Sequence, residues 1–232
     1  MARRGISLLL WLMATGQSTK LHHEIWQTGE KDLIKNIVFD IGNVLIGFEW
    51  EEYILSLFDK ETAYKVSSAM FFHSYWTELD RAVLTEDEIL NLFYSAEPDY
   101  KDQIKEAFDK VGKCVAKCDF VVPLIEELHQ SGYKVYFLSN MSEHVLGSNP
   151  EAFAFTEHMD GGIFSCHVHS VKPNPEIYKI LFEKYDLLPE ECLFIDDHAE
   201  NIDASREFGM DGIVFRSEEQ MKADLRSRLN MH

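Results

Sequence analysis

Four short apolar runs, residues 37–40, 135–140, 163–165 and 193–197, punctuate the chain at wide intervals, and each gives way at once to polar or glycine-containing sequence. Continuous rather than alternating hydrophobicity over so few residues is the mark of strands buried on both faces, as in parallel sheets. A fifth run, residues 212–216, closes the series. Between the runs the apolar positions recur with helical period. Residues 120–131 carry Pro123 in their first turn and stop at Gly132, residues 175–185 start on Pro175, and residues 201–208 end at Gly209. Strand alternating with helix predicts an α/β chain, a Rossmann-like doubly wound parallel sheet.

Residues 50–118 break the alternation. Helices are predicted at 51–58, 61–72, 73–80, 89–95 and 99–114, the fourth announced by the cap sequence Thr85-Glu86-Asp87-Glu88, and strand-like alternation is absent throughout. This stretch reads as a small helical cap inserted after the first strand and placed over the sheet's carboxyl edge, with the core assembled from residues 36–49 and 119–232. Residues 1–35 form an N-terminal extension. Arg3 and Arg4, the apolar run 6–13, and then Ala14 and Gly16 imitate a minimal signal peptide. That run is too short to span a bilayer. Its alternative is an upstream segment without function. The protein is accordingly expected in the cytoplasm, or exported if residues 1–16 act as a signal.

Composition narrows the function. With 46% hydrophobic residues in 232 there is material for a packed core. Twenty-two Lys and Arg against 40 Asp and Glu leave a net charge of −18, which repels nucleic acid and anionic lipid. Neither is expected as a partner. Cys114, Cys118, Cys166 and Cys192 are too sparse for a disulfide scaffold and read as reduced thiols. Cys114 and Cys118 are spaced to share a helix face, but two thiols do not complete a zinc site.

The ends of the runs carry the candidate chemistry. The first ends Phe39-Asp40-Ile41-Gly42-Asn43, an apolar strand stopping on a carboxylate at the edge where open α/β sheets bind ligands. By itself such an Asp serves equally well to cap a loop. The run Leu193-Phe194-Ile195 ends on Asp196 and Asp197, followed by His198 and Asn201. Adjacent carboxylates repel unless a cation or donors separate them, and an all-oxygen set suits Mg²⁺; the other reading is a solvated acidic turn with Asp197 as a helix cap. The run 134–138 leads into Ser139 and Asn140, whose donors and neighbouring backbone N–H groups are able to hold a phosphoryl oxygen, unless Ser139 is a routine turn serine. Lys172, between Val171 and Pro173 just ahead of a helix, is a cation on stiff backbone; beside carboxylates it would keep a nucleophile ionised.

Strand-terminal Asp, then Ser-Asn, then Lys-Pro, then Asp-Asp, in that order over residues 36–216, resembles the four motifs of the haloacid dehalogenase (HAD) superfamily. Within it, the Asp40-Ile41-Gly42-Asn43-Val44 sequence and Lys172-Pro173 ahead of Ile177-Tyr178 are similar to the subgroup containing bacterial α-glucose-1-phosphate phosphatase and the amino-terminal phosphatase domain of soluble epoxide hydrolase. The resemblance implies a Mg²⁺-dependent phosphatase acting through an aspartyl-phosphate. Asp40 is then the nucleophile. Ser139, Asn140 and Lys172 bind the phosphoryl group, and Asp40, the Gly42 carbonyl, Asp196 and Asp197 hold the metal, with Asp197 the direct ligand of the pair. Such a carboxylate splits hydrolysis into two displacements, and cationic groups oppose the charge on the transferred phosphoryl.

One position departs from the pattern. Most phosphatases of the superfamily place a second Asp two residues after the nucleophile as general acid and base, and this chain has Gly42 there. The dehalogenase branch places an aromatic residue there, so Gly42 does not point to dehalogenation. The expected substitute is Glu49, nine residues past Asp40, assisted by a good leaving group; a sugar phosphate such as a sugar 1-phosphate, with its anomeric oxygen, meets that need. The alternative is a catalytically weak phosphometabolite-binding protein. Mutase chemistry is disfavoured by the same missing acid. Cys166, His167 and His169 lack a fourth zinc ligand. Trp76, Glu78, Asp80 and Arg81 read either as substrate contacts or as helix-packing residues with charges turned to water. A monomer or dimer is expected, with a small phosphorylated molecule as its partner.

Overall fold

The computed structural model describes residues 34–229. The expected extension lies outside the described residues except for Ile34 and Lys35. Five parallel strands form the central sheet, β1 (Asn36–Phe39), β4 (Lys134–Ser139), β5 (Gly161–Phe164), β6 (Cys192–Asp196) and β7 (Asp211–Val214), in the order β5-β4-β1-β6-β7. Each predicted run is one of these strands. β1 sits at the centre, in register with Val135 to Phe137 of β4 on one side and Leu193 to Ile195 of β6 on the other.

Because strand side chains alternate between faces, each strand feeds two layers. Ile37, Phe39, Val135, Phe137, Leu193 and Ile195 belong to one apolar cluster, whereas Val38, Tyr136, Leu138 and Phe194 belong to the other. The first is closed by α6 (Val121–Gln130) and α10 (Glu218–Arg228), and the second by α8 (Pro175–Tyr185) and α9 (Ala199–Arg206). Helices on both faces of a parallel sheet explain why the strands carry no alternation in sequence.

Five helices occupy the insertion: α1 (Trp50–Leu57), α2 (Lys60–Phe71), α3 (Tyr75–Arg81), α4 (Glu86–Ala96) and α5 (Lys101–Asp109). Asp59 caps α2 by accepting from the backbone N–H groups of Glu61 and Thr62, and Thr85 and Glu88 close a reciprocal capping box on α4. Val66, Met70, Ile89, Phe93, Ile104 and Phe108 are buried in the same cluster as Ile37 and Phe39, so the helical layer and one face of the sheet share a continuous core.

Two expectations are corrected. The insertion is not purely helical: β2 (Ile46–Phe48) and β3 (Val115–Lys117) pair antiparallel and tie its two ends together. Nor is there one helix over residues 99–114. Short 3₁₀ turns at Pro98–Tyr100 and Val111–Cys114 flank α5, and a Cβ on Gly112 would come within 2.7 Å of Ser148. The close approach at Gly112 joins the end of the insertion to the remaining short helix, α7 (Glu143–Ser148). Cys114 and Cys118 consequently lie at opposite ends of β3 rather than on one helix face. All four cysteines are free, and no helix among the described residues is long and apolar enough to cross a membrane.

Candidate active site

The carboxyl ends of β1, β4 and β6 meet where the connections leave β1 in opposite directions, the switch point at which open sheets bind ligands. Asp40 immediately follows β1, held there by its backbone N–H on the Ile195 carbonyl (2.8 Å). The chain then turns sharply. The Ile41 carbonyl accepts from the N–H groups of Val44, Leu45 and Ile46, and Asn43 takes a left-handed conformation (φ 55°) that asparagine tolerates better than most residues. The turn carries the chain up into β2.

Lys172 ties the strand ends together. Its Nζ lies 2.9 Å from Asp40 Oδ1 and 2.6 Å from Asp196 Oδ2, and its side chain is almost wholly buried. Asn140 fixes it there by pairing twice with the Lys172 backbone, accepting from its N–H at 2.7 Å and donating to its carbonyl at 3.0 Å. The sequence-predicted Asn140 thus lines the cavity as a support for Lys172. Asp196, with no exposed surface, accepts from the His198 N–H and from Asn201 Nδ2, which reaches both of its oxygens. Asp197 is less enclosed and accepts from Asn43 Nδ2 at 3.4 Å.

Asp40 Oδ1 accepts from the Ile41 N–H and from Lys172, while Oδ2 has no donor among the described residues. Burial pushes the Asp40 carboxyl up to about 6 against the pull of Lys172, with Asp196 and Asp197 adding to the rise. For Lys172, burial works against the charged form, but the Asp40 and Asp196 carboxylates outweigh it and hold the ammonium above its ordinary value. Burial also raises Asp197, opposed by His198.

Carboxylate oxygens of Asp40, Asp196 and Asp197 lie within 4.8 Å of one another. Three carboxylates against one ammonium leave negative charge unbalanced, and the donors are all oxygen. That chemistry fits a hard divalent cation such as Mg²⁺. Asp196 already spends both oxygens on Lys172, Asn201 and the His198 N–H, so Asp40 and Asp197 are the members with oxygens to spare. Ser139 Oγ is buried and has no hydrogen-bond partner among the described residues. An unpaired buried hydroxyl costs about 1–3 kcal/mol, so this one is poised for an acceptor that the described residues do not provide.

A cavity of about 410 Å³ opens above Asp40, Lys172 and Asp197, while Ser139 and Asp196 lie buried behind its lining residues. Asp40, Gly42, Asn43, Lys172 and Asp197 line its floor, and Phe48, Trp76, Thr77 and Asp80 come from the helical side. Glu49 is not among the lining residues. It is exposed at the end of β2, with its backbone N–H on the Cys114 carbonyl and its carboxylate beside Gly47, so the ribbon directs it away from the floor. Sequence proximity to Asp40 does not bring it to the site. Two further acids do share the cavity, Glu200, which is exposed, and Asp80, 8% exposed, on a helix whose charges read equally well as solvent-facing. His169 does not join Cys166 and His167; its Nδ1 lies 3.2 Å from the Arg81 carbonyl. The groups beside those two are instead Glu143, whose carboxylate lies 2.8 Å from His167.

Comparison with known proteins gives one family. Residues 34–209 match the haloacid dehalogenase-like hydrolase model. The D-ribitol-5-phosphate phosphatase of Bacteroides thetaiotaomicron is 26% identical over 197 residues, which is 77% of this chain and 90% of that protein. The sesquiterpene phosphatase astK of Aspergillus oryzae is 24% identical over 179 residues, 77% of this chain and 88% of that one. A HAD family enzyme from Bacteroides thetaiotaomicron, solved in complex with magnesium and inorganic phosphate, superposes with a TM-score of 0.60 at 20% identity, covering 80% of this chain and 96% of that one.

Proposed function

Since the chain belongs to the haloacid dehalogenase-like hydrolase family, we propose that it is a Mg²⁺-dependent phosphatase that hydrolyses a small phosphorylated metabolite, a sugar or polyol phosphate, with Asp40 as the nucleophile. The observation that carries this reading is Lys172 bridging Asp40 and Asp196 at 2.9 and 2.6 Å while Asp40 Oδ2 is left without a donor. A carboxylate kept ionised by a fixed ammonium, with one oxygen unoccupied, is an activated nucleophile.

The phosphoryl group lies over the floor, one oxygen towards Lys172 and another towards the unpaired Ser139 hydroxyl. Asn140 acts on the reaction through the placement of Lys172. Attack by Asp40 Oδ2 breaks the phosphorus–oxygen bond of the ester, and water then releases phosphate from the acylphosphate. Asp40, Asp197 and the Gly42 carbonyl would hold Mg²⁺, with Asp196 steadying Lys172 beside them. The cation supplies neutralisation of the charge on the transferred phosphoryl group. Of two related proteins, one named a D-ribitol-5-phosphate phosphatase supports this substrate class, and one named a sesquiterpene phosphatase suggests another. The cavity volume suits a single small ring or a five- to six-carbon chain.

A second reading rests on the walls. Phe48 and Trp76, with ring centroids 5.9 Å apart, together with Met141 and Val145 offer an apolar lining that fits an isoprenoid phosphate. A panel of sugar, polyol and isoprenyl phosphates, assayed with and without Mg²⁺, separates the two. Phosphate release from at least one class, lost on chelation and in Asp40→Asn, is expected. Undiminished turnover by Asp40→Asn would refute the assignment of the nucleophile.

A further inference from the structure

The structure leaves Gly42 unable to do proton chemistry, yet a carboxyl group stands in the cavity on the opposite wall. Asp80 occupies the penultimate position of α3 and is 8% exposed. Its backbone carbonyl accepts from Ser165 Oγ at 2.7 Å, and the same hydroxyl accepts from the Met141 N–H at 2.9 Å. The neighbouring Arg81 carbonyl lies 3.2 Å from His169 Nδ1. The end of α3 is therefore bolted to the loops that follow β4 and β5, and Asp80 is held at a defined place above Asp40 and Lys172. Its own carboxyl group has no hydrogen bond and no ion pair among the described residues.

We propose that Asp80 is the catalytic acid and base of this site, delivering a proton to the leaving oxygen from the helical side in place of the residue that Gly42 lacks. The inference rests on the phosphatase reading above. In the first step Asp40 Oδ2 bonds to phosphorus, the ester oxygen departs, and the Asp80 proton passes to it, so the alcohol leaves neutral and Asp80 becomes a carboxylate. In the second step water attacks phosphorus, its proton returns to Asp80, and the Asp40–phosphorus bond breaks to give inorganic phosphate. The sum is one ester and one water converted to one alcohol and one phosphate.

The electrostatic setting agrees with the assignment. Burial, reinforced by the Asp40 charge and only partly offset by Lys172, pushes Asp80 up to about 8, which favours the protonated carboxyl towards neutral pH. An acid with a pKa near the working pH both gives and takes a proton efficiently. One consequence concerns substrate choice. With a proton donor in place the leaving group need not be anomeric, and primary alcohol phosphates become as suitable as sugar 1-phosphates.

The test follows the first turnover of the full chain with Mg²⁺ on two probes, p-nitrophenyl phosphate, whose leaving group needs no proton, and ribitol 5-phosphate, whose leaving group does. In Asp80→Asn, release of p-nitrophenolate in the first turnover is expected to stay within about threefold of wild type, while release of ribitol falls by roughly 10²-fold or more. Because the second step also loses its base, phosphorylated protein is expected to accumulate and to be visible by intact mass. A Cβ on Gly42 meets nothing within 4 Å, so Gly42→Asp is sterically open and is expected to restore ribitol release in the Asp80→Asn background. Equal slowing of both probes, or of neither, overturns the role of Asp80, whether the variant is well folded or not. A wild-type protein inactive on every phosphoester overturns the phosphatase reading and this inference with it.

Discussion

Across one cavity the molecule treats its carboxyl groups in two opposite ways. On the sheet side, Asp40 and Asp196 share the ammonium of Lys172, Asn201 donates to Asp196, and Asn43 donates to Asp197. On the helical side, Asp80 is buried to about the same degree as Asp40 but has neither hydrogen bond nor ion pair among the described residues. A compensated carboxylate stays ionised and serves as a nucleophile or ligand, whereas an uncompensated one keeps its proton. With Asp40 and Asp80 acting as proposed, the two walls divide the chemistry: charge below, proton and shape above.

Removing the compensation breaks that contrast most severely. Lys172→Met should lower kcat by roughly 10²–10³-fold through loss of charge neutralisation. It should also reduce stability by about 3–5 kcal/mol, because two carboxylates lose the ammonium between them in a buried setting. Urea titration of the metal-free protein reads the second effect, and a smaller loss would show that the pair relaxes towards water.

For the aromatic part of the helical wall the effect should fall on recognition rather than on the reaction. Trp76→Ala is expected to raise KM for the best substrate roughly tenfold while kcat stays within about threefold. A kcat loss exceeding the KM change would move Trp76 to the side of the chemistry.

A subtler contrast concerns pH. The folded-state value of Asp80 lies above its ordinary value of 3.8, so folding takes up a proton between about pH 4 and pH 8. Its contribution therefore favours the folded state at low pH and is lost as pH rises through that window. Asp80→Asn removes the dependence, and its Tm should exceed that of the metal-free wild type at pH 8 by about 3 °C or more, with the gap closing towards pH 5. The smallest effect belongs to Glu49→Gln. Displaced from the cavity by its place in the ribbon, it should change turnover by less than about twofold on any leaving group, far below the 10²–10⁴ of a lost general acid.

The same division decides what was readable along the chain. Much of the floor was legible because Asp40, Asn140 and Asp197 each end a short apolar run, and parallel strands in register bring those ends to one edge whatever lies between them; Lys172 ends no strand and stood out only as a cation on stiff backbone beside Pro173. The five-stranded sheet followed from the same runs. The ribbon was not, since three residues at 46–48 pair with three at 115–117 and no local pattern marks so distant a pairing. The break near Gly112 depends on contact with Ser148 from α7. Asp80 was ambiguous for a related reason. On an isolated helix a carboxylate beside Glu78 and Arg81 belongs to the wet face, and only docking through Ser165 encloses it. Glu49 is near Asp40 along the chain but not in the cavity, because its backbone hydrogen bond to Cys114 turns the chain into the ribbon.

The most direct measurement is where the phosphoryl group goes. Wild-type protein mixed with its best substrate and Mg²⁺, quenched in acid within the first turnover and digested, should carry phosphate on the peptide that contains Asp40, in a form released by hydroxylamine as acylphosphates are. A phosphorylated peptide elsewhere, or none during active turnover, would contradict the account.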